Sequence, residues 1–106
     1  MSVDDAIVTL RSMPRRWRAL MTPMSEDDTD VFTRRPPDGS PSAAEHEAAA
    51  LAAMGGDPDR MASEATRRDA DEWKQPALLD GLREAAHAGV HHLKLAERAL
   101  AAARRR

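Results

Sequence analysis

The four histidines are the residues whose type and spacing could bind a metal ion. His87 and His91 lie four positions apart in a segment with helical patterning, so their imidazoles would share one face of that helix. His46 lies in an earlier helical segment and could supply a third nitrogen. Neutral imidazoles suit zinc, nickel and iron. Three histidines from two packed helices would leave a coordination position open, as catalytic metal sites do.

A surface position is the alternative for these histidines. On a helical wheel the apolar arc of the last helix centres near Leu82, Gly89 and Leu93, and His87 lies beyond the edge of that arc. His92 is nearer a second, alanine-rich flank of the same helix. Histidines on a surface or at its boundary are common without a metal, so the wheel leaves both interpretations open. The second flank is formed by Ala85, Ala88, Leu95 and Ala99.

A cluster of arginines surrounds Trp17 in the sequence and is a second candidate for binding. These cations could contact phosphates while the indole stacks on a base. Trp17 also fits the apolar face of the first helix, which would make it a core residue, and the acidic run from Glu26 to Asp30 could neutralise the arginines. The formal net charge is only −2, so the sequence disfavours nucleic acid as a partner. The cluster comprises Arg11, Arg15, Arg16 and Arg18.

The first predicted helix covers residues 3–24, where apolar side chains recur at alternating spacings of four and three. Ser2 can cap its start. Pro14 lacks an N–H group and crowds the carbonyl of Leu10, so it should kink the helix or divide it in two. Pro23 marks its end. The predicted apolar seam is Val3, Ile7, Leu10, Pro14, Trp17, Met21 and Met24.

Residues 25–41 are predicted to form a loop. Its Pro-Pro-Asp-Gly stretch at 36–39 indicates a turn, because proline fixes φ and glycine accepts a positive φ. Val31 and Phe32 could attach the loop to the rest of the domain. The next helix should begin at Ser42, which forms a capping box with Glu45, and run to Met54 before Gly55-Gly56 ends it.

Two further helical segments follow. Asp57-Pro58 is typical of a helix start, and the sequence up to residue 74 predicts a short helix and then a less regular stretch. Pro76 opens the last helix, whose apolar repeat continues to about Ala103. The basic tail Arg104–Arg106 suits the negative end of a helix. The first and last helices are therefore expected to be the long walls of the bundle.

The composition predicts one all-α domain over residues 1–106. The chain holds 21 alanines and 23 large apolar side chains, and alanine is the strongest helix former, whereas strands need β-branched and aromatic residues. The absence of cysteine excludes disulfides and thiolate ligands. The longest apolar stretch, Ala48 to Met54, is far too short for a membrane span, and the N-terminus lacks the layout of a signal peptide. We therefore expect a cytoplasmic protein without a membrane partner.

Three segments of the sequence resemble one known family. They are LRSMPRRWR at 10–18, RPPDGSPSAAEH at 35–46 and HAGVHHL at 87–93. In this order they resemble the DinB-like superfamily, which includes mycothiol-dependent maleylpyruvate isomerases and related thiol transferases. The family pattern is a Pro-Pro-Gly-Trp-Ser-type turn before the second helix and His-x-x-x-His-His-Leu on the last. Pro41 replaces the turn tryptophan here.

This resemblance implies a four-helix bundle, often dimeric, in which one histidine of the second helix and two of the last hold a divalent metal. By position the pair on the last helix is His87 and His91. Ala49 occupies the position of the second-helix ligand, and His46, one turn earlier, is its candidate replacement. Zinc, nickel or iron is the implied metal, and a low-molecular-weight thiol is the implied cofactor.

Two functions are consistent with these observations. We favour a degenerate, non-catalytic bundle that acts through homodimerisation or through a partner, because the second-helix ligand is missing at Ala49. A dimer contact would supply burial that one chain lacks, with Trp17 and Trp73 as bulky anchors. The alternative is a metal-dependent thiol transferase or isomerase of the mycothiol type, with the metal at His46, His87 and His91.

Overall fold

The computed structural model describes residues 1–21 and 29–104, and all of the regular secondary structure in this part of the chain is helical, without a strand. The all-α prediction is therefore confirmed. Four helices have ten or more residues, and a fifth has five. In chain order they are α1 (Val3–Met21), α2 (Thr29–Thr33), α3 (Ala43–Ala53), α4 (Pro58–Arg67) and α5 (Pro76–Arg104), with a 3₁₀ turn at Glu72–Lys74 before α5.

Local capping signals set most of the helix boundaries. The backbone N–H of Asp5 donates to Ser2 Oγ at 3.1 Å at the start of α1. The backbone N–H of Glu45 donates to Ser42 Oγ at 3.2 Å, and both halves of the capping box are present. The N–H of Arg60 donates to Asp57 Oδ1 at 3.1 Å, with proline in the first turn of α4. These predicted starts are confirmed.

The predicted turns are also confirmed. Gly39 has φ +79° and donates its N–H to the Pro36 carbonyl at 3.0 Å. Gly55 and Gly56, which end the helix α3, have φ +72° and +87°. A side chain in this left-handed region would be strained, which is why glycine suits these positions.

Two predictions need correction. The helix α1 runs through Pro14 without dividing, so the alternative of two separate helices is wrong. Residues 25–41 are not loop throughout, because α2 occupies Thr29–Thr33 and buries Val31 and Phe32 in the core. The apolar pair attaches this segment as expected, but it does so from a helical turn. The predictions for residues 22–28, including Pro23, Met24 and the start of the acidic run, lie outside the described residues.

The core is built around α5, the longest helix. It packs against α1 on one side and α3 on another, and α1 also packs against α4. The fully buried face of α1 is shifted by a residue from the predicted seam, since Ala6 and Met13 join Leu10 and Trp17 inside while Met21 is 42% exposed. Trp73 is only half-buried, so Trp17 is the one indole that lies in the core of the described chain.

Gly89 is a position where the neighbours of α5 pack tightly against its backbone. A Cβ at this position would lie 2.9 Å from Met54 Sδ and 3.2 Å from Met13 Sδ. Both methionines are fully buried. Because Gly89 has no side chain, the thioethers of Met13 on α1 and Met54 after α3 both pack against the backbone of α5.

Replacing Gly89 by leucine should destabilise the protein by about 1–3 kcal/mol, because an overpacked core displaces its neighbours. Gly81→Leu is the matched control on the same helix, since a Cβ there meets nothing within 4 Å. That control should gain up to about 1 kcal/mol from helix propensity. Urea unfolding followed by circular dichroism measures both; equal effects at the two positions would contradict the close packing at Gly89.

Candidate histidine site

Two histidines from different helices meet where α3 packs against α5. His46, in the first turn of α3, and His92, in the middle of α5, place their Nδ1 atoms 3.3 Å apart. Their ring centroids are 5.6 Å apart and the rings are tilted by 35°. Both side chains are half-buried. At this distance, one neutral ring can donate its N–H to the other, or the two nitrogens can face a common cation.

The other two histidines occupy different positions. His91 lies beside its neighbour His92, with ring centroids 5.4 Å apart at 64°, and is exposed. His87 is exposed one turn earlier on α5. The structure therefore brings His46 to His92, which the predicted set of His46, His87 and His91 did not include. The alanine-rich flank of the helical wheel pointed towards His92, because that flank faces α3.

The donor set limits how a metal could be held. Among residues 1–21 and 29–104 no three or more His, Asp or Glu side chains form a group that could hold a metal ion. His46 and His92 by themselves have the spacing of two metal ligands. Two ligands of a tetrahedral ion with bonds of about 2.1 Å lie roughly 3.4 Å apart. The structure therefore brings no three histidines together among the described residues, whereas the separation of His46 and His92 equals that of two ligands of one ion.

The surroundings of His92 favour its neutral form. Burial lowers the pKa of His92 below its usual value of 6.5, and repulsion from His46 and His91 lowers it further. A neutral imidazole is the form that accepts a hydrogen bond or binds a metal through its lone pair. The burial of the ring therefore favours the neutral form, whose lone pair is free to accept a hydrogen bond.

A groove of about 350 Å³ adjoins the pair on the side of the Pro36–Pro41 turn. His46 lines it together with Asp38 and Ser40 of the turn, and Arg98 of α5 lines the opposite wall. The remaining walls are apolar. Both the backbone N–H and the hydroxyl of Ser40 donate to Asp38 Oδ1, at 2.9 and 2.6 Å, and these bonds lower the pKa of Asp38. The apolar walls are Pro36, Pro41, Leu95, Ala99 and Ala102.

An ion pair ties this turn to the helix that carries His46. Arg35 donates from Nε and Nη2 to the two carboxylate oxygens of Glu45, at 2.8 and 3.0 Å. This bidentate contact lowers the pKa of Glu45 and raises that of Arg35. Glu45 is also the second half of the capping box at Ser42. The turn, the start of α3 and His46 are therefore held as one unit.

The arginine cluster does not surround an accessible indole. Trp17 is only 6% exposed, which confirms the interpretation of this residue as core and leaves no face on which a base could stack. Arg11 donates to Thr66 Oγ1 at 3.1 Å, and Arg18 Nε donates to the Pro14 carbonyl at 3.4 Å. The predicted neutralising run is described only at its end, where Asp30 pairs with Arg34 rather than with α1.

Comparison with known proteins adds no family to these observations. No protein-family model, curated protein or solved structure matches this chain. The DinB-like resemblance therefore stays a prediction from three short segments. Within the described residues, no helix combines the length and apolarity needed to cross a bilayer.

Acidification should destabilise the wild type more than a His92→Gln variant. Since the folded chain lowers the pKa of His92 below 6.5, the unfolded chain binds the proton more readily. The stability gained by keeping His92 neutral is complete above pH 6.5, and it is lost as the pH falls through the lower pKa of the folded chain. Urea unfolding between about pH 7.5 and about pH 5 measures the difference.

The exposed His87 provides the control for this experiment. His87→Gln replaces an exposed histidine of the same helix without touching the pair, so it should keep the wild-type pH dependence. If His92→Gln shows the same pH dependence as the wild type, the lowered pKa of His92 makes no contribution to stability, which contradicts this prediction.

Proposed function

We propose that this protein is a metal-binding helical bundle in which His46 and His92 hold a divalent transition-metal ion between α3 and α5. The observation that carries the proposal is the 3.3 Å separation of the two Nδ1 atoms, which matches two ligands of one ion. The lowered pKa of His92 supports it, because metal binding requires the neutral ring. Zinc, nickel and iron are the metals that imidazole suits best.

Two protein ligands would leave at least two positions of a four-coordinate ion open. His46 lines the groove beside the turn, so a small molecule in that groove lies next to the metal ligand. When bound, such an ion supplies Lewis acidity. The chain's own contribution is to orient the two rings and to supply Arg98 and Asp38 as polar contacts along the groove. A DinB-like origin and a low-molecular-weight thiol in the groove remain predictions within this proposal.

The test compares three histidine variants by isothermal titration with zinc, nickel and cobalt(II) chlorides. His46→Asn and His92→Asn should each weaken binding at least tenfold, because each removes one of two ligands. His87→Asn is the matched control on α5 and should bind like the wild type. Circular dichroism confirms that each variant is folded.

Two outcomes would contradict the proposal. One is a wild-type protein that binds none of the three metals at millimolar concentration. The other is a His87→Asn variant that loses as much affinity as His92→Asn, which would restore the ligand set implied by the family resemblance. Either result is distinct from a folding defect because the circular dichroism spectrum reports that separately.

Homodimerisation, which the sequence analysis favoured, is the second candidate function, and Val8 on α1 is the position that tests it. Val8 is 67% exposed, the most exposed large apolar side chain among the described residues. Sedimentation equilibrium should give twice the mass of one chain, and Val8→Glu should shift the equilibrium towards the monomer at least tenfold if this face is the contact. A wild type that remains monomeric at high concentration would exclude self-association.

A further inference from the structure

The side of α1 that faces away from the core carries charges of both signs. The helix packs against α5 and α4 through its buried side, and the residues at positions 4, 8, 11 and 15 are exposed. Spacings of four, three and four place them on one face of a helix. Asp4 lies at one end of this outer face, Val8 in the middle, and Arg11 and Arg15 towards the other end.

A groove of about 340 Å³ lies on the outer face of α1. It is lined by Val8, Arg11, Ser12 and Arg15. Four residues at these spacings form the hole that receives one side chain of a facing helix in knobs-into-holes packing. Two guanidinium groups border this hole, so the side chain that suits it best is a carboxylate.

The charged groups of the outer face have no ion-pair partner within the described chain. None of the ion pairs among residues 1–21 and 29–104 involves Asp4, Arg11 or Arg15. Arg11 donates one N–H to Thr66 Oγ1 at 3.1 Å, which leaves other donors of its guanidinium available. Asp4 lies about 11 Å along the helix from the centre of the groove, at about 1.5 Å per residue. A facing copy of α1 can supply the carboxylate instead.

An antiparallel copy of α1 would satisfy both ends of the outer face at once. Asp4 lies four positions before Val8, and the groove is centred between Arg11 and Ser12, three to four positions after Val8. When Asp4 of each copy enters the groove of the other, the two-fold axis passes beside Val8. The two valines then pack on each other, and Val8 is 67% exposed in the single chain. The charges and the apolar contact therefore require the same register.

From these observations we infer that the chain forms an antiparallel homodimer through the outer face of α1, with Asp4 of each copy between Arg11 and Arg15 of the other. The inference rests on homodimerisation, the second candidate function, and adds the contact surface and its orientation. Such a contact is isologous, as in most dimers. A polyanion fits the same face less well, because the carboxylates of Asp4 and Asp5 lie in the first turn of α1.

Single cysteines test the register, since the chain has none of its own. Val8→Cys places a thiol beside the two-fold axis and should give a disulfide-linked dimer in a glutathione redox buffer. Ala19→Cys is the matched control, because Ala19 is exposed near the other end of α1. In the antiparallel contact Ala19 lies about 33 Å from its copy, at about 1.5 Å per residue, so Val8→Cys should cross-link about tenfold faster or more.

Charge reversal tests the contact of Asp4. Asp4→Arg adds a cation beside Arg11 and Arg15 and should weaken dimerisation about tenfold, because each dimer contains the contact twice. Mixed with Arg15→Asp, it should form a heterodimer tighter than either homodimer, since one contact stays native and the other regains an attractive pair. Arg16→Asp is the matched control, because Arg16 lines a different groove with Leu93 of α5. It should dimerise like the wild type and gain nothing from mixing.

Sedimentation equilibrium measures these affinities, and circular dichroism checks that each variant is folded. A wild type that is monomeric at millimolar concentration overturns the inference together with homodimerisation. A dimeric wild type overturns the inference alone if Ala19→Cys cross-links as fast as Val8→Cys, or if Asp4→Arg leaves the affinity unchanged.

Discussion

The contact at Gly89 is the constraint on which the arrangement of the helices depends. Because this residue has no side chain, the sulfurs of Met13 and Met54 occupy the space that a Cβ would need. The first belongs to α1 and the second follows α3, so one position on α5 receives both neighbours. In a chain with few large apolar side chains, this glycine lets two of them pack closely against the backbone of α5. Buried alanines on α1, α3 and α5 also permit close packing, since their side chains are small.

This packing decides the chemistry at the surface of the bundle. With α3 held against α5, the first turn of α3 brings His46 beside His92, and the half-burial of the pair favours neutral imidazoles. The Arg35–Glu45 ion pair then anchors the adjoining turn. Exposed ion pairs add little stability, so its role is positional. The groove, the turn and the histidine pair thus form one continuous surface that depends on the α3–α5 contact.

The helices themselves could be predicted because their signals are local. The capping box at Ser42, the Asp57-Pro58 start and the glycines at 55 and 56 each act within a few residues, and each was found where the sequence placed it. The predictions failed where tertiary contacts compete with the local conformational preference of the sequence. Packing retains α1 as one helix through Pro14, and the burial of Val31 and Phe32 supports a helical turn inside the expected loop.

The candidate site could be predicted only in part, and for a related reason. Spacing along one helix selected His87 and His91, and His46 was added as a third candidate from an earlier helix; of these three, it is His46 that the structure brings to a histidine of α5. Spacing could not tell which residue of α5 would face His46, because consecutive residues of a helix point about 100° apart and their facing depends on how the helices rotate against each other. His91 and His92 differ by one such step.

The amino-acid sequence alone therefore determined the fold class, most of the helix boundaries and the turn beside the site, since caps, proline and glycine act through neighbouring backbone groups. The tertiary structure alone decided the pairing of His46 with His92 and the burial of the Trp17 N–H without an acceptor among the described residues. Both follow from the rotation and close approach of packed helices, which no short segment of sequence encodes.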